Sequence, residues 1–167
     1  MNDVPNIVLT GFMGTGKTTT GRCISRLLGL PFVDSDDLIR AHAGLSIPEI
    51  FARYGETEFR RIERDVCLEL AARRGQVIAT GGGMLVNPDN LQVMIAGGIV
   101  ICLWASPEDL RGRLAADPTR PLASNWESLL AARRAAYQAM PYHIDTTNKT
   151  PVGVAEEAIA VWRKHSQ

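Results

Sequence analysis

The chain has 167 residues, a length typical of one domain with a sizeable hydrophobic core. Eighteen basic residues balance eighteen acidic ones, and no segment carries a run of like charge. This balance excludes the basic footprint of a nucleic-acid-binding protein, so we expect small-molecule partners. The first residues lack a signal-peptide pattern, and the longest uncharged apolar stretch, 93–105, is too short to span a bilayer. We therefore expect a cytoplasmic protein without a membrane partner.

Short apolar runs alternate with longer helical patterns, which predicts a parallel sheet covered by helices on both faces. The predicted strands span residues 6–9, 31–34, 77–79, 99–104 and 142–145. A capping residue followed by proline marks three helix starts, at Asn87-Pro88, Ser106-Pro107 and Thr150-Pro151. Ser46 is a further candidate cap, for a helix to about residue 54, and residues 56–74 have the spacing of an amphipathic helix.

Residues 11–18 form the phosphate-loop pattern G-x-x-x-x-G-K-[ST] directly after the first predicted strand. In such a loop, backbone N–H groups and the following helix N-terminus favour a phosphate. Lys17 then reaches the outer phosphates, and the Thr18 hydroxyl is placed for Mg²⁺. The alternative is an ordinary glycine-rich turn. We expect the nucleotide to contact Gly14, Thr15, Gly16, Lys17, Thr18 and Thr19.

Carboxylates follow the second predicted strand, in the sequence Asp34-Ser35-Asp36-Asp37. Ligands of an open parallel sheet bind beyond the carboxyl ends of its strands. We expect Asp34 to face Mg²⁺ through its water shell and Asp36 to face the phosphoryl acceptor. The alternative is that Asp36 or Asp37 only caps the next helix.

Two further segments have the composition of binding loops. Gly81, Gly82 and Gly83 follow the third predicted strand, where a ligand can lie against a backbone without side chains. Residues 117–125 contain two prolines and an arginine between two helices, which favours a lid over a plain surface connection. Spacing alone does not discriminate among the arginines suited to an anionic ligand, which are Arg60, Arg61, Arg113, Arg120, Arg133 and Arg134.

Taken together, these motifs closely resemble those of shikimate kinases. The matching segments, in order, are the phosphate loop, Asp34-Ser35-Asp36, Phe59-Arg60-Arg61-Ile62-Glu63, the triple glycine, Arg120-Pro121-Leu122, and Arg133 four residues before Tyr137. The resemblance implies an ATP- and Mg²⁺-dependent kinase that phosphorylates the 3-hydroxyl of shikimate. It also implies a three-layer α/β fold with a five-stranded parallel sheet in the order 2-3-1-4-5, a shikimate-binding segment at about 35–62 and a lid at about 117–125. We expect a single domain over 1–167 and a monomer.

The resemblance also implies roles for individual residues. Asp36 corresponds to the residue that holds the ring hydroxyls and accepts the proton of the reacting one. Arg60 and Arg133 correspond to a clamp on the shikimate carboxylate, with backbone contacts from the triple glycine. The distance to Tyr137 favours Arg133 for this role, and Arg134 is the alternative. Glu63 corresponds to the residue that orients Arg60. Arg120 corresponds to the lid arginine that reaches the phosphates, and Arg113 corresponds to the residue that lies against the adenine. The catalytic residues are thus expected to be Lys17, Asp36 and Arg120.

The chain departs from this family in its lid, because only residues 121–132 separate Arg120 from Arg133. We expect this shortened lid to close less completely over the acceptor. Two rival functions remain: a gluconate-kinase-like enzyme that phosphorylates another small metabolite, and a nucleotide-binding module without phosphotransfer. The phosphate loop fits all three, whereas Phe-Arg-x-x-Glu and the triple glycine favour the shikimate kinases.

Overall fold

The computed structural model describes residues 4–117 and 125–166. Within them, five strands form one parallel sheet in the order β2-β3-β1-β4-β5, which confirms the predicted sheet. The strands are β1 Asn6–Thr10, β2 Phe32–Asp34, β3 Val77–Ala79, β4 Gly98–Trp104 and β5 Tyr142–Asp145. Each strand begins and ends within one residue of its predicted bounds, because a short apolar run between polar residues leaves little choice of where a buried strand begins and ends.

Seven helices connect and flank these strands in the described part of the chain. They are α1 Lys17–Leu28, α2 Ser35–Ala43, α3 Ile47–Ala72, α4 Pro88–Gly97, α5 Pro107–Ala116, α6 Trp126–Gln138 and α7 Pro151–His165. The predicted proline-marked starts are confirmed, since the side chains of Asn87, Ser106 and Thr150 each accept a hydrogen bond from a backbone N–H of the first turn.

The long helix α3 contains a break that separates the two helices predicted for this segment. Ser46 and Glu49 form a reciprocal capping box at its start, as the predicted cap requires. Gly55 has φ 80° and ψ 177°, a conformation that is not helical and is almost restricted to glycine. The axis therefore changes at Gly55, and the second half carries Arg60 and Glu63 toward the sheet.

Side chains of the sheet alternate between two cores, which gives the expected three layers. Ile7 and Leu9 of β1 pack with α1 and α7 on one face. Val8 packs with residues of α2 to α6 on the other face. All three side chains are completely buried. The sheet thus separates a thin layer of two helices from a thicker layer of five.

The register of the three neighbouring strands places their carboxyl ends at one level. Ala79 of β3 lies opposite both Leu9 of β1 and Asp34 of β2. The segments that follow these strands are the phosphate loop, the start of α2 and the triple glycine. They consequently meet at one edge of the sheet, where an open α/β fold binds its ligands.

None of the helices in the described ranges combines the length and the hydropathy that a bilayer crossing needs. The apolar stretch 93–105, noted in the sequence, is divided between α4 and β4.

The close approach of Gly11 to strand β4 gives a test of the fold. Gly11 has φ 133°, and a methyl group on its Cα would lie 2.1 Å from the backbone oxygen of Leu103. We expect Gly11→Ala to lower the free energy of unfolding by at least about 3 kcal/mol, because neither the strand nor the φ angle can relax cheaply. Urea unfolding at 25 °C measures this change.

The matched control is Gly112→Ala, on an exposed face of α5 where an added methyl group meets no atom within 4 Å. This variant should gain up to about 1 kcal/mol, because alanine is the better helix former. Equal unfolding midpoints for the two variants would contradict the packing described for Gly11.

Candidate active site

The phosphate loop is shaped to hold an anion. Gly16 adopts a left-handed conformation, with φ 92°, immediately before α1, so the chain turns sharply into the helix. The buried Thr15 hydroxyl donates to the Phe12 carbonyl oxygen at 2.8 Å and closes the loop on itself. The first N–H groups of α1 therefore face the concavity, together with the positive end of its dipole.

A cavity of about 390 Å³ opens above this loop. It is lined by residues 14–20 and, on its far side, by Arg113, Thr146, Lys149 and Pro151. All six residues expected to contact the nucleotide from the loop, 14–19, thus line the same space. The cavity is large enough for a nucleotide, and its far side lies beyond the phosphate cradle, where a base would sit.

The Lys17 ammonium lies over the loop. Its Nζ donates to the carbonyl oxygens of Gly11 at 2.7 Å and Phe12 at 2.9 Å. Both acceptors are neutral carbonyl oxygens, and the ammonium charge also lowers the pKa of Asp36. Gly11 O also lies 3.5 Å from the position of a methyl group on Gly82, which places the ammonium beside the triple glycine.

Asp34 connects the phosphate loop to α2. Its Oδ2 accepts from the Thr18 hydroxyl at 3.1 Å, and its Oδ1 accepts from the Asp36 N–H at 2.9 Å. Asp34 is therefore the cap of α2, and the alternative in which Asp36 or Asp37 caps this helix is wrong. Capping leaves the Asp36 carboxylate free to point into the site.

The Thr18 and Asp34 oxygens are of the type that Mg²⁺ prefers. The described residues contain no cluster of three or more His, Cys, Asp or Glu side chains suited to a metal ion. An ion at Thr18 and Asp34 would thus take most of its ligands from water and phosphate, as Mg²⁺ usually does in phosphoryl-transfer sites.

Arg113 of α5 ties the far side of the cavity to the phosphate loop. Its guanidinium donates to Gly14 O at 3.2 Å, to Thr146 Oγ1 at 3.0 Å and to Thr146 O at 2.7 Å. Asp109 forms an ion pair with it from the preceding turn. Thr146, a buried threonine after β5, belongs to no sequence motif and was not predicted as a site residue.

Asp36 lies directly against the triple glycine. A methyl group on Gly81 would come within 2.7 Å of its Oδ1, so only glycine leaves room for the carboxylate. Burial raises the pKa of Asp36, and the neighbouring Asp34 charge raises it further, whereas the Lys17 ammonium opposes both. The raised pKa makes Asp36 a stronger proton acceptor than an exposed aspartate.

Two arginines from different helices converge on the last glycine. A methyl group on Gly83 would lie 3.1 Å from Arg60 Nη1 and 3.1 Å from Arg133 Nη2. Arg60 comes from α3 and Arg133 from α6. By contrast, Arg134 is exposed, and Arg61 points outward to Glu58 and Asp65. The two convergent guanidiniums form a pocket that suits a carboxylate.

Glu63 holds Arg60 in this position. Its Oε1 accepts from Arg60 Nη1 at 2.8 Å, and its side chain is only 3% exposed. Burial raises the pKa of Glu63, while the Arg60 hydrogen bond and charge lower it. A buried carboxylate fixes the arginine from one side. Nη2 of the same arginine lies 3.6 Å from Oε1 of the exposed Glu56.

Two hydroxyl-bearing residues near the triple glycine were not predicted as site residues from the sequence. Ser35 and Tyr137 contact this loop, although each stands inside a motif quoted for its charged neighbours. Arg120 and the central part of the lid, in contrast, lie outside the described residues.

This edge of the sheet combines a phosphate cradle, a lysine, a carboxylate of raised pKa and a two-arginine pocket. The combination defines the class of P-loop phosphotransferases that act on a small acceptor.

Comparison with known proteins assigns the family. The family model for shikimate kinase matches residues 13–163. The chain is 42% identical to a shikimate kinase of Geobacter sulfurreducens, over 98% of this chain and 94% of that protein. Its fold is similar to that of an Acinetobacter baumannii shikimate kinase in complex with shikimate, with a TM-score of 0.88 and 35% identity, covering 98% of this chain and 96% of that chain. The chain belongs to the shikimate kinase family.

A gluconokinase of Sinorhizobium meliloti shares the fold alone, with a TM-score of 0.62 and 16% identity, over 98% of this chain and 94% of that chain. Family membership makes the chain a phosphotransferase that acts on a hydroxyl of shikimate. The rival functions based on the phosphate loop alone are thereby set aside.

The convergence on Gly83 predicts a selective effect of a single methyl group. Gly83 has an ordinary φ of −96°, so alanine fits its backbone conformation. We expect Gly83→Ala to raise KM for shikimate by about tenfold, because the displaced guanidiniums lose one charge-assisted hydrogen bond. KM for ATP should stay within twofold, as the phosphate loop is untouched. Steady-state kinetics with each substrate varied measures both, with Gly112→Ala as the control; a parallel rise in both KM values would refute the assignment of this pocket.

Proposed function

We propose that this enzyme transfers the γ-phosphoryl group of ATP to the 3-hydroxyl of shikimate through the residues assembled at this edge of the sheet. The observation that carries the proposal is that Asp36, Arg60 and Arg133 face three consecutive glycines beside the phosphate-loop lysine. A base and a carboxylate clamp thus lie next to a phosphate cradle, around one glycine segment.

Residues 14–19 bind the ATP phosphates through their backbone N–H groups and the α1 dipole. Lys17 exchanges its loop carbonyls for phosphate oxygens and stabilises the negative charge that spreads over the transferred group. Thr18 and Asp34 would hold the Mg²⁺ ion, Asp34 through water. The ion, when bound, neutralises phosphate charge. Arg113 lines the far side of the cavity, and we assign the adenine to its guanidinium.

Asp36 accepts the proton of the reacting hydroxyl while the hydroxyl oxygen attacks the γ-phosphorus. The raised pKa and the position against Gly81 support this role, because a half-buried carboxylate of raised pKa takes up a proton more readily than an exposed aspartate. Arg60 and Arg133 bind the shikimate carboxylate, which fixes the ring so that its 3-hydroxyl faces Asp36. Gly82 adds a backbone contact, and Glu63 keeps Arg60 oriented.

The remaining parts of the proposal rest on the sequence. We assign residues 1–167 to one P-loop kinase domain, with a shikimate-binding segment at about 35–62 and a short lid at about 117–125. Arg120 of this lid reaches the phosphates and completes the catalytic set. We also place the enzyme in the cytoplasm, where ATP is supplied, and its three free cysteines are compatible with a reducing compartment.

A coupled assay of ADP release tests the function directly. Shikimate should give rapid release, and gluconate or quinate should give little above the rate without acceptor. Rates of ADP release with gluconate comparable to those with shikimate would favour a gluconate-kinase-like function. No dependence of ADP release on any acceptor would favour a nucleotide-binding module without phosphotransfer.

Removing the proposed base should affect the rate more than binding. Asp36→Asn keeps the shape and a hydrogen bond to the hydroxyl but cannot take its proton. We expect kcat to fall by roughly 100-fold or more, with little change in KM for ATP. If only KM for shikimate rose, Asp36 would be a binding residue and the base assignment would be wrong.

Removing either side of the clamp should affect shikimate far more than ATP. Arg60→Ala and Arg133→Ala should each raise KM for shikimate by about 10- to 100-fold, the range expected for a charge-assisted hydrogen bond. Arg61→Ala and Arg134→Ala are matched controls, since these neighbouring arginines face away from the glycines. Both controls should retain the KM of the unchanged enzyme.

Shikimate methyl ester provides an independent check of the clamp. The unchanged enzyme should use the ester poorly, while the two clamp variants should discriminate little between ester and acid. Equal use of both substrates by the unchanged enzyme would remove the clamp from the proposal.

A further inference from the structure

The triple glycine has a defined shape that its own sequence does not supply. Gly81 O accepts from Met84 N at 3.1 Å, and Gly83 O accepts from Val86 N at 3.2 Å, so the chain enters a short 3₁₀ turn at 84–86. These local bonds leave the Gly82 carbonyl and the Gly81 N–H unpaired. Three consecutive glycines have many accessible conformations, so further contacts are needed to select one.

Tyr137 supplies the first of these contacts. Its hydroxyl donates to Gly82 O at 2.7 Å, across 55 residues of sequence, and its side chain is buried in the core around α6. Arg133 lies one turn earlier on α6, and a methyl group on Gly82 would lie 3.3 Å from its Nη1 and 3.7 Å from the Tyr137 hydroxyl oxygen. The tyrosine hydroxyl and the clamp arginine therefore meet at the same glycine.

Ser35 supplies the second contact. It is completely buried at the start of α2, and its Oγ accepts from the Gly81 N–H at 2.8 Å. Because Asp36 is the next residue, this bond also fixes how closely the proposed base approaches Gly81. The two hydroxyls thus hold the loop from opposite sides, one from α2 and one from α6.

Holding the Gly82 carbonyl fixes the following N–H as well. The peptide unit is planar and trans, so the N–H of Gly83 points away from the Tyr137 hydroxyl. Among the described residues, the N–H groups of Gly82 and Gly83 donate no hydrogen bond. They are left as donors beside the two guanidiniums.

We propose that Ser35 and Tyr137 are positioning residues for shikimate, whose hydroxyls hold the triple glycine in the one conformation that accommodates Asp36, Arg60 and Arg133. This inference rests on the proposed function of the same site. Neither hydroxyl needs to touch the substrate, because each acts through the glycine backbone.

The test removes each hydroxyl and keeps the rest of the side chain. Tyr137→Phe and Ser35→Ala should each raise KM for shikimate about three- to tenfold, as expected for one lost hydrogen bond. KM for ATP should stay within twofold. The amide signals of Gly82 and Gly83, observed by NMR in ¹⁵N-labelled protein, should broaden or shift more in these variants than the signal of Gly16 in the phosphate loop.

Matched controls separate positioning from general stability. Ser25→Ala removes a hydroxyl that donates to Leu30 O at 2.6 Å, on the opposite side of the sheet. Tyr142→Phe removes the hydroxyl of a partly buried tyrosine at the start of β5. Both controls should leave the two KM values unchanged, even where the urea midpoint of Ser25→Ala falls as far as that of Ser35→Ala.

The outcomes distinguish the positioning role of Ser35 and Tyr137 from the proposed function of the site. A selective rise in KM for shikimate with altered Gly82 and Gly83 signals supports the positioning role. Unchanged KM values, or equal rises for shikimate and ATP, overturn it while the proposed function stands. Absence of shikimate-dependent turnover in the unchanged enzyme removes the proposed function instead.

Discussion

The parallel register of β1, β2 and β3 is the constraint on which the site depends. Ala79 faces Leu9 on one side and Asp34 on the other, so three loops leave the sheet at one level. A shift of one strand by a single residue would turn its buried side chains to the opposite face. Complete burial of Ile7, Val8 and Leu9 on alternating faces therefore fixes the register that brings the catalytic loops together.

The acceptor site depends on the absence of side chains at the three glycines 81–83. Asp36, Arg60 and Arg133 lie within 2.7–3.3 Å of the positions that Cβ atoms of 81–83 would take, so charged groups approach the backbone closely. Such proximity costs solvation, which appears as the raised pKa values of Asp36 and Glu63. The positive charges of Lys17 and Arg60 offset part of this cost, because they lower the pKa values of Asp36 and Glu63 respectively.

The two helix layers support different parts of the active site. The thin layer of α1 and α7 supports the phosphate cradle, while α2, α3 and α6 carry the residues for the acceptor. Arg113 of α5 and Asp34, which ends β2 and caps α2, cross this division, because each forms a hydrogen bond with the phosphate loop. Nucleotide and acceptor sites are consequently held relative to each other by side-chain hydrogen bonds as well as by the sheet.

The sequence by itself determined the strands, the marked helix starts and the phosphate loop, because these depend on local apolar runs, capping residues and glycine spacing. The family resemblance supplied the strand order and the charged site residues. Only the tertiary structure decided that Asp34 caps α2, that Arg113 pairs with Thr146, and that Ser35 and Tyr137 hold the triple glycine. The Asp34 cap is a local bond to the Asp36 N–H, and the run of carboxylates did not decide between the candidate caps. The other contacts join residues distant in the chain, where a serine, threonine or tyrosine carries no local signal and packing decides which partner its hydroxyl meets.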